Sequence, residues 1–145
     1  MRQTTLEQMQ TPISSIGFGA MSFSDFYGPT DDEKSFSILD RCMDLGITHL
    51  DTSNVYGLGL SERRIGDYLE SRGQQARDFF TIATKAGIAS KPNGSRYFDN
   101  SPEHLRNELD GSLQRLGVEQ VELLYVHRRD ASVPIEEVAQ SLPNW

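Results

Sequence analysis

The chain has 145 residues, of which 37% are hydrophobic and 24% are charged, a composition that excludes a disordered chain and predicts one domain over residues 1–145. Its net charge of −7 disfavours binding to nucleic acid, because phosphate contacts require clustered Lys and Arg side chains. No apolar run approaches the ~20 residues that cross a bilayer, the first residues lack the apolar core of a secretory signal, and a lone cysteine excludes an internal disulfide, so we expect a cytoplasmic protein that binds no membrane.

Short apolar runs alternate with helical segments along the chain, which is the pattern of repeated βα units in an α/β fold with a parallel sheet. Four such units can be counted. The predicted strands cover residues 15–20, 47–50, 79–84 and 121–126. Ahead of the first strand, residues 2–11 are interpreted as one arm of a short β-hairpin.

Each predicted strand is followed by a helix whose ends carry local signals. A polar residue marks three of the starts and a glycine marks the corresponding ends: Thr30 or Asp31 with Gly46, Ser61 with Gly73, and Ser101 with Gly117. Ser61 and Ser101 are the predicted N-caps. A fourth, short helix begins at Pro134 and ends before Pro143. The stretch from residue 85 to residue 100 is rich in Gly, Pro, Asn and Ser, and we expect a long functional loop there.

Four polar side chains lie at the carboxyl ends of the predicted strands. Asp51, Lys85 and His127 each follow an apolar run directly, and Tyr56 lies in the loop after Asp51. In a β/α barrel, this end of the strands is the face that carries the active site. We therefore expect the four side chains to form one catalytic cluster.

The residue types of this cluster suit proton transfer to a carbonyl oxygen. A phenol ionises near pH 10, so a tyrosine that exchanges a proton near neutral pH needs a neighbouring positive charge, which Lys85 can provide. Asp51 can keep the lysine protonated by pairing with it, and His127 can donate a hydrogen bond to a substrate oxygen. The hydride for a reduction must come from an external cofactor, and without one the same groups would equally suit enolisation or isomerisation.

Other cofactor and metal sites are not supported by the sequence. Residues 17–22, Gly-Phe-Gly-Ala-Met-Ser, lack the third glycine of a dinucleotide fingerprint, and no helix opens directly behind them. The three histidines lack Cys, His or Glu partners at metal-binding spacing, so we predict no metal site. His49 is interpreted as a strand residue and His104 as a solvated helix residue.

Residues 46–57, Gly-Ile-Thr-His-Leu-Asp-Thr-Ser-Asn-Val-Tyr-Gly, resemble the Asp-Thr-Ala/Ser-x-x-Tyr-Gly signature of aldo-keto reductases. Residues 17–21, 59–62, 82–85 and 123–127 resemble the family's first strand, second helix start, lysine strand and histidine strand. The resemblance implies a TIM barrel that reduces an aldehyde or ketone with NADPH. It implies Tyr56 as general acid, Asp51 and Lys85 as the groups that tune it, His127 as the group that orients the substrate, and Ala20, Met21 and Asp51 at the cofactor.

A TIM barrel has eight strands and typically ~250 residues, whereas this sequence supplies about four βα units. We therefore expect a half-barrel, as a truncated or frame-shifted gene would encode, without the half that holds much of the cofactor in the family. Two functions remain open. The chain is an NADPH-dependent reductase, or it is a noncatalytic half-barrel that associates through the exposed edges of its first and fourth strands or acts as a regulatory subunit.

Overall fold

The computed structural model describes residues 2–5, 12–91, 93 and 95–142. Its strands, in chain order, are β1 (Gln3–Thr4), β2 (Ile13–Ser14), β3 (Gly17–Gly19), β4 (His49–Asp51), β5 (Thr81–Ala86), β6 (Ile88–Ser90), β7 (Arg96–Phe98) and β8 (Leu123–Val126). Its α-helices are α1 (Asp32–Leu45), α2 (Leu60–Arg72), α3 (Gln74–Phe79), α4 (Pro102–Leu116) and α5 (Ile135–Ser141), and a 3-10 helix covers Ala20–Ser24. None of these helices is long and apolar enough to cross a membrane.

The central sheet has four parallel strands in the order β3-β4-β5-β8, so each strand pairs with the next parallel strand along the chain. Right-handed crossovers between successive neighbours place every connecting helix on one face of the sheet. Contacts between α1 and α2 and between α2 and α4 agree with this arrangement. The sheet is therefore wound as in a β/α barrel, as predicted, and not as a doubly wound sheet.

The amino-terminal hairpin is confirmed, since β1 pairs antiparallel with β2. Part of its predicted first arm, residues 6–11, lies outside the described residues. Ser14, in β2, exchanges hydrogen bonds with Thr48, both at 2.9 Å. These bonds attach the hairpin to the start of β4, at the end of the sheet opposite the expected active site.

Most of the helix signals are confirmed. The Asp31 side chain accepts a bond from the backbone N–H of Lys34, and the Ser101 side chain accepts one from His104. Glycines end α1 and α4 in the left-handed conformation, which an L side chain adopts only with strain. Two further expectations were wrong: Pro134 precedes the first residue of α5 as its N-cap, and His104 is half-buried.

The predicted N-cap of α2, Ser61, is also wrong. The helix starts one residue earlier, at Leu60, and Gly59 occupies the N-cap position with a φ of 83°. Ser61 is fully buried within the first turn, where its hydroxyl donates to the carbonyl of Ala20 at 2.8 Å. The hydroxyl is therefore used to attach α2 to the segment after β3 and not to cap its own helix.

The third predicted strand was placed two residues too early. Phe79 is the last residue of α3, and the ladder between β5 and β8 continues through Lys85 and Ala86. Lys85 therefore lies within its strand and not after it. The prediction was wrong because one apolar run covers both the end of a helix and the start of a strand, and periodicity cannot separate the two.

The predicted loop after this strand contains an antiparallel hairpin, in which β6 pairs with β7 from Ile88 opposite Phe98.

The main hydrophobic core lies between the sheet and the helices α1 and α2. Cys42 is a core residue, as predicted, and is 4% exposed. The buried members of this core are Ala20, Phe23, Leu39, Cys42, Leu50, Ile65, Tyr68, Leu69, Ala76, Phe80, Ile82 and Leu116. Helix α2 approaches α4 closely at Gly66, where a Cβ would collide with the backbone carbonyl of Arg115. This contact requires glycine because the backbone carbonyl cannot move aside.

A buried carboxylate connects β5 to both neighbouring helices. Glu62, on α2, is fully buried, and it accepts a bond from the Thr84 hydroxyl at 2.6 Å and one from the Arg115 Nε at 2.6 Å. Both carboxylate oxygens therefore have donors, which offsets the cost of burying the charge. Because Thr84 immediately precedes Lys85, this ion pair holds the strand that presents the expected catalytic lysine.

Candidate active site

The sheet places three of the expected catalytic residues at its carboxyl edge. Asp51 is the last residue of β4, and Lys85 lies near the end of the neighbouring β5. His127 follows β8, where its backbone N–H donates to the carbonyl of Ala86 at 2.7 Å. Adjacent parallel strands end at the same edge, so side chains from distant parts of the chain meet there.

Lys85 is the centre of the cluster. Its ammonium group donates to the carboxylate of Asp51, to the carbonyl of Thr52 at 2.8 Å and to the phenol oxygen of Tyr56 at 3.2 Å. An ammonium group has three N–H donors, and all three have an acceptor here. Because the phenol oxygen accepts from Lys85, the hydroxyl proton of Tyr56 remains available to another acceptor.

Tyr56 is positioned by the turn that follows β4. Its backbone N–H donates to the carbonyl of Ser53 at 3.2 Å. The next residue, Gly57, has a φ of +60°, and a Cβ there would lie 2.9 Å from the Cβ of Ser24. Both the left-handed backbone and the close approach require glycine. The glycine of the motif is thus what lets the turn present the phenol at the edge of the sheet.

His127 packs beside the phenol. The rings of Tyr56 and His127 meet edge to face with centroids 5.9 Å apart, and the Ser53 hydroxyl lies 3.1 Å from Nδ1 of His127. Burial lowers the pKa of His127 below its ordinary value, and the positive charges of Lys85 and Arg128 lower it further. The imidazole is therefore neutral at neutral pH, when it has one N–H donor and one acceptor nitrogen.

Three residues that the sequence reasoning missed support His127. The Asn54 amide donates to the carboxylate of Glu108 at 2.6 Å, which turns the amide oxygen of Asn54 toward the Ser53 hydroxyl at 3.2 Å. Ser53 is fully buried and Asn54 is 8% exposed. Both lie inside the motif at residues 51–57, so their position was a signal. Glu108 lies on α4, 54 positions after Asn54, and no local pattern marks it.

A cavity of about 660 Å³ opens beside the cluster. Tyr56 and His127 contribute to its wall, and its remaining lining residues are Met21, Ser24, Phe26, Val55, Gly57, Leu58, Ile88, Arg96, Phe98 and Arg128. The volume lies in the range of small-molecule sites. Within the described ranges, no group of three or more His, Cys, Asp or Glu side chains is arranged to hold a metal ion.

The two residues expected near the cofactor differ in accessibility. Met21 is half-buried and lines the cavity, so a bound molecule can reach it. Ala20 has no exposed surface, and its carbonyl accepts the bond from Ser61. Met21 can therefore contact a ligand directly, whereas Ala20 attaches this segment to α2 through its carbonyl. A cofactor-binding role for both residues stays a prediction.

Comparison with known proteins agrees with this arrangement. The family model described as the aldo/keto reductase family matches residues 15–144. An aldo-keto reductase of Schizosaccharomyces pombe, named for NADP(+), is 37% identical over 131 residues, which are 90% of this chain and 38% of that protein. An aryl-alcohol dehydrogenase of Phanerodontia chrysosporium, also named for NADP(+), is 34% identical over 91% of this chain and 37% of its own length.

Solved structures show the same relationship. The holo form of an aldo-keto reductase from Bacillus halodurans has a TM-score of 0.83 at 29% identity, over 99% of this chain and 46% of that one. A glycerol dehydrogenase from Gluconobacter oxydans has a TM-score of 0.83 at 28% identity, over 98% and 44%. The chain thus spans less than half the length of these relatives. From the family match, the identities and the shared fold, we conclude that the chain belongs to the aldo/keto reductase family.

Proposed function

We propose that this chain carries the proton-transfer site of an oxidoreductase that reduces an aldehyde or ketone with NADPH. One observation carries the proposal. Lys85 donates to the phenol oxygen of Tyr56 while it pairs with Asp51, and this leaves the Tyr56 hydroxyl proton available at the edge of the cavity. A proton donor supported by a fixed positive charge is what protonation of a developing alkoxide requires.

Bound NADPH would supply the hydride that reaches the carbonyl carbon. In the same reaction, Tyr56 releases its proton to the carbonyl oxygen, which becomes the alcohol hydroxyl. Lys85 stabilises the phenolate that remains, and Asp51 holds the lysine in its charged form. The phenolate regains a proton from solvent, so each turnover consumes one carbonyl, one hydride and one proton.

His127 orients the substrate in this proposal. Ser53 has one hydroxyl proton and two acceptors within reach, Nδ1 of His127 and the amide oxygen of Asn54. When the hydroxyl donates to Nδ1, the neutral ring carries its own proton on Nε2. That N–H can then donate to the carbonyl oxygen and hold it beside the Tyr56 hydroxyl.

The side chains of Met21 and Asp51 have the chemical properties needed to contact a nicotinamide cofactor. Met21 offers a polarisable apolar surface for a flat ring, and Asp51 offers an acceptor near the Lys85 charge. We therefore keep Met21, Asp51 and the neighbouring Ala20 as cofactor-binding residues of this proposal. The curated relatives named above for NADP(+) support NADPH as the cofactor.

Enolisation and isomerisation use similar groups. The two relatives named above as dehydrogenases favour a redox reaction over enolisation or isomerisation.

The direct test is a titration of the chain with NADPH, followed through the cofactor's fluorescence. We expect a saturable change, and then oxidation of NADPH when an aldehyde is added. A titration without saturation would exclude this chain, by itself, as the catalyst. Saturable binding with aldehyde isomerisation but no NADPH oxidation would exclude reduction.

The alternative function is association through sheet edges. Among the described strands, β3 and β8 each pair on one side only, and such edges can pair with another chain. The specific occupant we consider is a second copy of this chain. Light scattering tests it: a dimer would favour association, whereas a monomer with a cooperative melting transition would contradict it. A regulatory role would require such a contact as well.

A cytoplasmic location remains part of the proposal. It is supported by the single cysteine, Cys42, which is buried in the core and forms no disulfide. Cell fractionation with an antibody against the chain would test it, because recovery in a membrane or secreted fraction would contradict the prediction.

A further inference from the structure

Two arginines lie in the wall of the cavity that also contains Tyr56 and His127. Arg96 is on β7, in the hairpin that follows β5, and Arg128 directly follows His127. They come from different parts of the chain and converge on one cavity. The proposed roles of the cluster use neither of them.

Neither guanidinium group is neutralised within the described ranges. Six ion pairs occur there, and none includes Arg96 or Arg128. The carboxylate nearest to the reacting groups, Asp51, is already paired with Lys85. Arg64, by contrast, pairs with Asp32 and donates to the carbonyl of Phe23.

This local positive charge is opposite in sign to the net charge of the protein. The chain has a formal net charge of −7, yet its candidate active-site cavity presents two guanidinium groups that form no ion pair within the described residues. A cleft lined by charges of one sign concentrates ligands of the opposite sign. Guanidinium groups bind carboxylates and phosphates through paired N–H donors, which adds orientation to charge.

The rest of the cavity wall defines the shape of the ligand. Phe26, Ile88 and Phe98 line it with apolar side chains, so the same wall suits contact with an uncharged carbon segment of a ligand. We propose that the substrate is an anionic carbonyl compound, whose carboxylate or phosphate is bound by Arg96 and Arg128 while its carbonyl oxygen faces Tyr56. The carbonyl part of this inference rests on the proposed reduction, whereas the anion site does not.

The binding test uses the whole chain and needs no cofactor. Nuclear magnetic resonance titrations compare succinate with its uncharged diamide, succinamide, and follow the ring resonances of His127. We expect saturable shifts with succinate and none with succinamide. Arg96→Gln and Arg128→Gln should each weaken succinate binding by about tenfold, as expected for the loss of one charge-assisted pair. Equal binding of succinamide, or unchanged succinate affinity in both variants, would overturn the proposal.

Arg41→Gln is the matched control, because Arg41 lies on the exposed face of α1 and pairs with Asp44. It removes the same charge far from the cavity and should leave succinate binding unchanged. A loss as large as that of Arg96→Gln would show a general charge effect and overturn the assignment. Heteronuclear spectra of each variant confirm the fold before affinities are compared.

The phosphates of the cofactor are the other source of an anion. Adenosine 2′,5′-bisphosphate serves as the probe for them. If it displaces succinate and loses affinity in the same two variants, the arginines bind the cofactor and the substrate assignment is overturned. If it leaves succinate bound, the substrate assignment is supported.

Turnover separates this inference from the proposed function. In the presence of NADPH, we expect the ratio of kcat/KM for succinic semialdehyde over butanal to fall in both variants. An unchanged ratio would overturn the anionic substrate while leaving reduction intact. Conversely, saturable succinate binding with no NADPH oxidation for either aldehyde would refute the reduction and retain the anion site.

Discussion

The floor and the rim of the candidate active site are built differently. The floor consists of Asp51, Tyr56 and Lys85, and the Lys85 side chain is only 13% exposed with all three donors occupied. The rim, formed by Phe26, Arg96 and Phe98, projects into solvent, with Phe26 64% and Phe98 44% exposed. Both regions line or adjoin one cavity.

The difference indicates which region determines the chemistry of the reaction and which determines the preference for a substrate. The floor is held by hydrogen bonds to backbone carbonyls and by the ion pair between Lys85 and Asp51, so a change in its geometry should cost stability or activity. The rim has few partners, so its side chains can change at little cost to stability. Substitutions should therefore separate the two regions, with large effects in the floor and small ones at the rim.

Tyr56→Phe should have the largest effect. It removes the hydroxyl that donates the proton while it keeps the ring beside His127, so we expect carbonyl reduction to fall roughly 10²–10⁴-fold with little change in NADPH affinity. Stopped-flow absorbance of NADPH with an aldehyde measures the rate. Retained turnover would show that the proton comes from another group.

Glu62→Ala should destabilise the fold around β5, the strand that carries Lys85. It leaves Arg115 and the Thr84 hydroxyl without their acceptor, and breaking a buried pair typically costs about 3–5 kcal/mol of unfolding free energy. Urea denaturation followed by circular dichroism measures the change. Asp44→Ala is the matched control, since its pair with Arg41 is exposed and worth about 0–1 kcal/mol. Equal losses would contradict a structural role for the buried pair.

Ser53→Ala should act on the orientation of His127 and not on the proton donor. In the unsubstituted protein, the proposed role requires the imidazole proton on Nε2, which nitrogen-15 spectra of the ring can determine. The substitution removes the partner of Nδ1, so we expect a mixture of tautomers and a several-fold loss of kcat/KM. A protonated Nδ1 in the unsubstituted protein would exclude His127 as a donor to the substrate.

The lowered pKa of His127 predicts a smaller, pH-dependent effect. The unfolded chain binds a proton near the ordinary value of about 6.5, whereas the folded chain binds it only at lower pH. The free energy of unfolding should therefore fall as the pH decreases through this range. The replacement His127→Gln removes this contribution, so the stability difference between the two proteins should change with pH there. Parallel curves would contradict the assignment.

Phe98→Ala should have the smallest effect on the fold. Its side chain lies on the exposed hairpin, so we expect a change within about 0.5 kcal/mol in the free energy of unfolding. Its removal enlarges the cavity mouth, and KM for a carbonyl substrate should change more than kcat does. Thermal melts and steady-state kinetics give the two quantities. A large loss of stability would show that the rim is part of the core.

The sequence predicted the features that depend on neighbouring residues. The strand and helix alternation, the start of α1 near Asp31, the cap at Ser101, and the glycine ends of the helices are local, so short-range patterns were sufficient. The missed features involve competition between local and distant partners. Ser61 has the residue type of an N-cap, but the carbonyl of Ala20 accepts its hydroxyl. The hairpin β6–β7 lies in a stretch whose turn-forming residues predicted only a loop.

For the candidate site, the motif at residues 51–57 and the types of Lys85 and His127 were enough to predict a proton-transfer cluster. Only the tertiary structure decided how the cluster is held, because Ser53 meets His127 across 74 positions and Asn54 meets Glu108 across 54. The convergence of Arg96 and Arg128 on one cavity is likewise a product of the fold. Sequence determines which chemical groups are present, whereas strand register and helix packing determine which of them share a hydrogen bond or a cavity.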